Sequence, residues 1–219
     1  MPSGRTGFRP RPSPHRLQSG VSQTAGGTGG LRKKGLRDAV EAVRAARPGE
    51  RLTLWFRDEA RVGQKGRVCR RWFTRGQRPP GLCDQRYTWA HLFAAVRPAT
   101  GNAFALVLPR VSTRAMQAFL DRFARRLAAD EHAAMVLDRA GWHVARALRV
   151  PRNVTLVPLP PYAPELNPVE RVWLHLRERY LSHRLLGGYD AIVDALCSAW
   201  NQLSPERLHS LTSYPYLER

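Results

Sequence analysis

The chain has 219 residues, which is enough for one sizeable domain with or without an additional arm. Its hydrophobic content of 43% supports a packed core, and 36 Lys and Arg against 17 Asp and Glu give a formal net charge of +19. A polyanion is therefore the first partner to consider. No apolar run approaches the roughly 18 residues that cross a bilayer, so no membrane partner is expected. Three scattered cysteines without a Cys-X-X-Cys pair are typical of the reducing cytoplasm.

The first 30 residues have the composition of a disordered basic arm. They contain no Asp or Glu and are rich in Gly, Pro, Ser and Arg, with few large apolar residues to bury. Such arms bind nucleic acid weakly through phosphates, although the same composition also arises when a GC-rich gene is read out of frame. The predicted organisation is thus an arm over 1–30, a linker helix over 31–49 and a folded domain over 50–219.

Hydrophobic periodicity predicts several consecutive strands, followed by alternating strands and helices. The predicted elements, in chain order, are a helix over 31–47, a strand over 52–57, a basic hairpin over 63–78, strands over 87–96 and 102–108, a helix from Ser112 or Thr113 to Leu127, a strand over 133–137, a short helix over 142–148, a strand over 154–159, and helices over 169–180 and 189–202. This order predicts an α/β fold with a mixed sheet flanked by helices, as in the ribonuclease-H-like (retroviral-integrase-like) fold.

Three acidic residues lie at positions that favour a shared site. Asp58 and Asp138 each follow a predicted strand, and Glu170 lies at the start of a predicted helix. Each also has a simpler interpretation: either aspartate could cap a turn, and Glu170 could complete a capping box with Asn167. Taken together, they match the needs of phosphoryl transfer on nucleic acid, which uses two divalent cations about 3.5–4 Å apart and hard carboxylate ligands.

Three motifs resemble those of DDE transposases of the mariner-like superfamily, and bacterial insertion-sequence family 630 in particular. They are WFRDEARVG at 55–63, VLDRAGWH at 136–143 and LPPYAPELNPVERVW at 159–173. The resemblance covers about 31–216. It implies a ribonuclease-H-like catalytic domain in which Asp58, Asp138 and Glu170 hold two Mg²⁺ or Mn²⁺ ions. Strand alternation directs Glu59 to the opposite face, where a structural role is expected.

The resemblance also implies a reaction and its partners. Water cleaves a phosphodiester at the end of a mobile element, and the released 3′-hydroxyl then attacks target DNA, typically at TA. The expected partners are double-stranded DNA and a second copy of the chain, in the nucleoid of a bacterial cytoplasm. Helix-turn-helix recognition modules normally precede such a domain, and none is predicted before Asp58. A catalytically idle DNA-binding or dimerising fragment is the alternative.

Basic residues follow the first motif and are expected to hold DNA phosphates beside the metal site. They include Arg61, Lys65, Arg67, Arg70, Arg71 and Arg75. A solvated hairpin with Trp72 in the core is the alternative interpretation. His143 could contact the scissile phosphate, although a packed histidine is simpler, and Trp173 is predicted to be a core anchor rather than a base-stacking platform.

Overall fold

Five strands form one mixed sheet at the centre of the fold. The computed structural model describes residues 25–64, 74–77, 86–140, 147–160, 163–182 and 184–214. The strands are β1 (Arg51–Gly63), β2 (Trp89–Arg97), β3 (Asn102–Leu108), β4 (Glu131–Leu137) and β5 (Val154–Pro158). They lie in the order β3-β2-β1-β4-β5.

The central strand β1 has a different pairing on each of its edges. It runs antiparallel to β2 from Phe56 to Gly63 and parallel to β4 from Arg51 to Phe56. The strands β1, β2 and β3 form an antiparallel meander, whereas β4 and β5 are parallel neighbours reached by crossovers. The predicted mixed sheet is therefore confirmed.

Helices cover both faces of this sheet. They are α1 (Ala25–Ala46), α2 (Thr113–Ala124), α3 (Val169–Leu176), α4 (Tyr189–Asn201) and α5 (Pro205–Thr212), and a π-helical turn (Arg177–Leu181) continues α3. On one face, α2 packs with Phe119 and Phe123 among buried residues such as Trp55 and Phe93. On the other, α3, α4 and α5 bury their apolar sides together with Phe56 and other sheet residues. The predicted arrangement of helices around the sheet is confirmed.

The strand β1 extends six residues beyond its predicted end at position 57. The charged sequence from Arg57 to Arg61 breaks the apolar pattern, which is why a strand signal is lost there. The backbone nevertheless stays extended because β2 supplies hydrogen-bonding partners as far as Gly63. Asp58 and Glu59 accordingly lie inside a strand and do not follow one.

The helix α1 begins at Ala25, six residues before its predicted start, so the last part of the predicted disordered arm is helical. Glycines dominate 26–30 and have low helix propensity, which explains the later predicted start. Farther along α1, Leu36 is buried in the same core as α3 and α4. The division into arm, linker and domain stays a prediction. None of the described helices has the length and apolar character needed to cross a membrane.

Candidate active site

Asp58 lies in the middle of β1 and is partly buried. Its Cα is opposite that of Ala94 of β2, whereas the pairing of β1 with β4 has ended two residues earlier, at Phe56. Alternation along the strand places Asp58 on the same face as Phe56, beneath the helices α3 and α4. The residue is thus paired with β2 on one side, and β4 does not pair with it on the other.

Asp138 is the first residue after β4 and is exposed. Phe56 and Val136 are in register on the parallel pair, so Asp58 and Asp138 each lie two residues farther along neighbouring strands, on the same face. One Asp138 carboxylate oxygen, Oδ1, accepts a hydrogen bond of 3.1 Å from the Ala140 amide. Asp138 therefore caps a turn directly after the strand that neighbours β1.

Glu170 enters from the first turn of α3. The start of that helix is tied to β1 by Asn167, whose Nδ2 donates to the carbonyl oxygen of Arg57 at 3.3 Å and whose Oδ1 accepts from the Val169 amide at 3.2 Å. The predicted capping box is wrong in its second half. The Glu170 side chain is exposed and forms no hydrogen bond or ion pair with the described residues, and the N-cap of α3 is Pro168.

Trp173 contacts Asp58 directly. Its indole Nε1 donates a hydrogen bond of 2.8 Å to Oδ2 of Asp58, and its side chain is buried among the helices, 6.4 Å from the ring of Trp200. The prediction of a core anchor is incomplete because the ring also contacts a candidate site residue. The sequence did hold a signal for this contact. Glu170 and Trp173 are three residues apart on a helix and are therefore neighbours on its surface, which would bring Trp173 close to the candidate site.

The electrostatics link Asp58 to the other acids. Burial raises the pKa of Asp58 to about 7, the Trp173 hydrogen bond opposes that rise, and the negative charge of Glu170 adds to it. Burial also lowers the pKa of Arg57, against the opposing charges of Glu59, Asp58 and Asp138. All three acids therefore lie within electrostatic reach of this short segment of β1.

The carboxylates of Asp58, Asp138 and Glu170 do not converge on one point in this structure. Across the described ranges, no three His, Cys, Asp or Glu side chains are grouped closely enough to hold a metal ion. The charge of Glu170 acts on Asp58, and Asp138 lies directly after the strand adjacent to β1. The donor set nonetheless fits a hard divalent cation, since it consists of carboxylates and the desolvated Asp58 beside Glu170 is a site that a cation would neutralise.

The face of β1 opposite to Asp58 holds a buried ion pair. Arg57 has 0% exposed surface and pairs with Glu59, and its guanidinium lies 4.8 Å from the centre of the Phe93 ring and 5.6 Å from that of Phe119. The predicted orientation of Glu59, away from Asp58, is confirmed.

The basic residues are only partly described. Arg61 is exposed and lies 4.4 Å from the centre of the Trp89 ring, and Arg75 is exposed in a turn. The predicted phosphate contacts that lie outside the described residues are Lys65, Arg67, Arg70, Arg71 and His143. Arg177, which the sequence interpretation did not consider, lines a small pocket of about 20 Å³ together with Arg61, Trp173 and apolar side chains.

Comparison with known proteins places the site in context. The model of the family described as DDE superfamily endonuclease matches residues 53–192, a range that includes Asp58, Asp138 and Glu170. The uncharacterized protein y4pE/y4sA of Sinorhizobium fredii (strain NBRC 101917 / NGR234) is 50% identical over 115 residues, which are 52% of this chain and 85% of that protein.

Solved structures that are similar to this chain include several of the Mos1 transposase. The Mos1 transposase paired-end complex with left transposon end has a TM-score of 0.58 at 17% identity and covers 95% of this chain and 63% of that chain. The Mos1 mariner paired end complex with Mn has a TM-score of 0.59 at 16% identity, with 96% and 63% covered. The Mos1 transposase catalytic domain with Raltegravir and Mn has a TM-score of 0.55 at 15% identity, with 83% and 85% covered. The predicted ribonuclease-H-like fold is confirmed, and the chain spans less than two thirds of the first two.

Proposed function

Because this chain belongs to the DDE superfamily endonucleases, we propose that it is the catalytic domain of a DNA transposase, which cuts and joins DNA strands at the ends of a mobile element. One observation carries the proposal. Asp58 in β1 and Asp138 directly after β4 each lie two residues beyond the register pair Phe56 and Val136 of adjacent parallel strands. Asn167 ties the start of the helix bearing Glu170 to the residue before Asp58.

The proposed cofactors are two divalent cations, Mg²⁺ or Mn²⁺, held by Asp58, Asp138 and Glu170. When bound, such cations activate the attacking oxygen and neutralise charge on the leaving one. The three proposed ligands differ in burial and in how firmly the fold holds them. Asp58 is fixed by β2 and by the indole of Trp173, whereas Asp138 and Glu170 are exposed and would hold a cation where a DNA phosphate can reach it.

The proposed substrate is double-stranded DNA, including transposon ends and a TA-containing target, bound by a homodimer. Carboxylates alone would repel the phosphates, so the domain needs cations around them. Arg61 and Arg177 supply positive charge near Trp173, and the predicted basic stretch that follows Arg61 would extend it. Support for the DNA partner comes from the family and from the net charge of +19.

A plasmid-nicking assay with Mg²⁺ or Mn²⁺ tests the proposal. We expect metal-dependent nicking that falls by at least about 100-fold in Asp138→Asn, since removing a metal ligand should cost no less than removing a residue that only supports one. Glu165→Gln is the matched control, because Glu165 is an exposed carboxylate near α3 that pairs with Arg32. Nicking that is equal in both variants, or absent from the folded wild-type chain with either metal, would reject the enzymatic role.

One observation favours a second candidate, the catalytically idle DNA-binding fragment. Within the described part of the chain, the acids form no three-ligand cluster. For such a fragment, binding of labelled duplex DNA would be tight and independent of divalent metal, and Asp138→Asn would bind DNA at least as well as the wild type. Metal-dependent nicking by the wild type decides between the two functions.

A further inference from the structure

Among the described residues outside the three acids, Trp173 makes the most direct side-chain contact with the candidate site. Its Nε1 lies 2.8 Å from Oδ2 of Asp58, and the residue is 4% exposed. Trp173 is the donor that the described residues supply to this carboxylate. A side chain of α3 therefore fixes one oxygen of a residue of β1.

We propose that Trp173 is a positioning residue for Asp58: its indole N–H holds one carboxylate oxygen so that the remaining lone pairs are presented to a divalent cation. The inference rests on the proposed function, in which Asp58 is a metal ligand. It extends that function because Trp173 itself touches neither metal nor DNA in this role and acts only through Asp58.

The chemistry of the indole suits this role. Its N–H is a donor and offers no acceptor, so it can orient an anion without competing for the cation. The ring is large and buried beside Trp200, which prevents it from swinging away. Residues that hydrogen-bond to metal ligands in this manner set ligand orientation and metal affinity.

The position of Trp173 on α3 gives the contact a second consequence. Glu170 and Trp173 are three residues apart on one helix, so a single rigid element carries one candidate ligand and the group that orients another. Asn167 anchors the start of the same helix to the carbonyl oxygen of Arg57, next to Asp58 in the chain. Any shift of α3 relative to β1 would then move Glu170 and release Asp58 together.

Mn²⁺ binding to the full chain, measured by the loss of the free-ion electron paramagnetic resonance signal, tests the inference without an activity readout. We expect Trp173→Phe to weaken Mn²⁺ binding by about 10- to 100-fold. The matched control is Trp200→Phe, which removes a neighbouring indole that has no hydrogen bond to the described residues. It should change Mn²⁺ affinity by less than about twofold, because it leaves the Asp58 contact intact. In an Asp58→Asn background, Trp173→Phe should have no further effect.

The outcomes separate the two hypotheses. If the wild-type chain binds no Mn²⁺, or if Asp58→Asn binds as tightly as the wild type, the metal role of Asp58 fails and the inference fails with it. If binding depends on Asp58 but Trp173→Phe equals the wild type, the inference alone is overturned. An equal loss in Trp173→Phe and Trp200→Phe would also overturn it, since that result reports only disturbed packing.

A spectroscopic measurement on the wild-type chain keeps the inference testable if Trp173→Phe does not fold. In the uniformly ¹³C- and ¹⁵N-labelled chain, the six tryptophans give six indole N–H resonances, and that of Trp173 is assigned through its own backbone and sequential connectivities. We expect Mg²⁺ to shift this resonance and to leave that of Trp55, which donates to Thr53 on the opposite face, unchanged. Mg²⁺ binding without a shift at Trp173 would overturn the inference.

Discussion

Arg57 and Glu59 form an ion pair directly behind Asp58, on the opposite face of β1. Arg57 is fully buried and its guanidinium lies against Phe93 and Phe119, so its charge is separated from water. Removing one member of a buried pair leaves the other charge poorly compensated, which is far more costly than breaking an exposed pair. The rigidity of Asp58 thus depends on charges that take no direct part in its site.

We expect Glu59→Ala to lower the free energy of unfolding by about 3 kcal/mol, because the buried Arg57 loses the carboxylate facing it. Urea denaturation monitored by circular dichroism measures this change. The control is Asp130→Ala, which breaks the exposed 3.0 Å pair with Arg51 and should leave the denaturation midpoint almost unchanged. Equal denaturation midpoints in the two variants would show that the buried pair stabilises the fold no more than the exposed one.

The raised pKa of Asp58 predicts that the metal-free protein loses stability as the pH rises. The native pKa of about 7 exceeds the ordinary value of 3.8, so the native state holds a proton that the unfolded chain has released. The stabilisation is complete below about pH 4 and is lost progressively toward pH 7, by at most about 1.4 kcal/mol per pH unit. Melting temperatures with a chelator at pH 5, 6, 7 and 8 measure this loss. Asp58→Asn should flatten the profile, and parallel profiles would contradict the assignment.

The same proton competes with a divalent cation. Mn²⁺ must displace it from Asp58, so the apparent Mn²⁺ affinity should rise by up to about tenfold per pH unit below pH 7 and level off above. Titrations of Mn²⁺ at constant ionic strength between pH 5.5 and 8 test this. A pH-independent affinity would show that Asp58 is already ionised before the metal binds.

Gly101 connects β2 and β3 in a left-handed conformation with φ of 71°, and a Cβ there would lie 1.8 Å from the carbonyl oxygen of Pro205. Gly49 has a similar φ of 89° but open space around it. We expect Gly49→Ala to cost about 1–2 kcal/mol through backbone conformation alone. Gly101→Ala should cost more, because α5 must also move away. Thermal unfolding of both variants measures the difference, and equal losses would show that the turn and α5 adjust freely.

Much of the fold could be predicted because it depends on local periodicity. The bounds of β3 match the prediction, and Ser112 caps α2 through a 3.1 Å hydrogen bond from the Ala115 amide. The extension of β1 could not be predicted, since it depends on β2, a strand distant in sequence. The sequence analysis missed α5 although Ser204 and Pro205 provide an ordinary helix-start signal.

The candidate site divides in the same manner. Motifs in the sequence identified Asp58, Asp138 and Glu170, because the residue types and their chain order are visible without a structure. The hydrogen bond from Trp173 and the buried position of Arg57 arise from packing between elements far apart in the chain. The residue types in the sequence do not by themselves reveal which distant residues come into contact.

Arg61 and Arg177 are expected to contact DNA phosphates. Replacing either by Ala should weaken binding to every duplex sequence and reduce the slope of log Kd against log salt by about one for each phosphate that the variant no longer neutralises. Arg126→Ala is the control, because Arg126 lies near Glu131, at the opposite end of β4 from Asp138. Fluorescence anisotropy at salt concentrations from about 50 to 300 mM provides the slopes. Unchanged slopes for Arg61→Ala and Arg177→Ala would exclude direct phosphate binding by these side chains.

The two edges of β1 should differ in how much sequence change they tolerate near Asp58. Its edge toward β2 is paired through Gly63, whereas its edge toward β4 is unpaired after Phe56. A change of sequence after Asp138 would therefore leave the pairing of Asp58 with β2 intact. Related chains can vary on that side of β1 while the carboxylate stays anchored, so differences within the family should accumulate there.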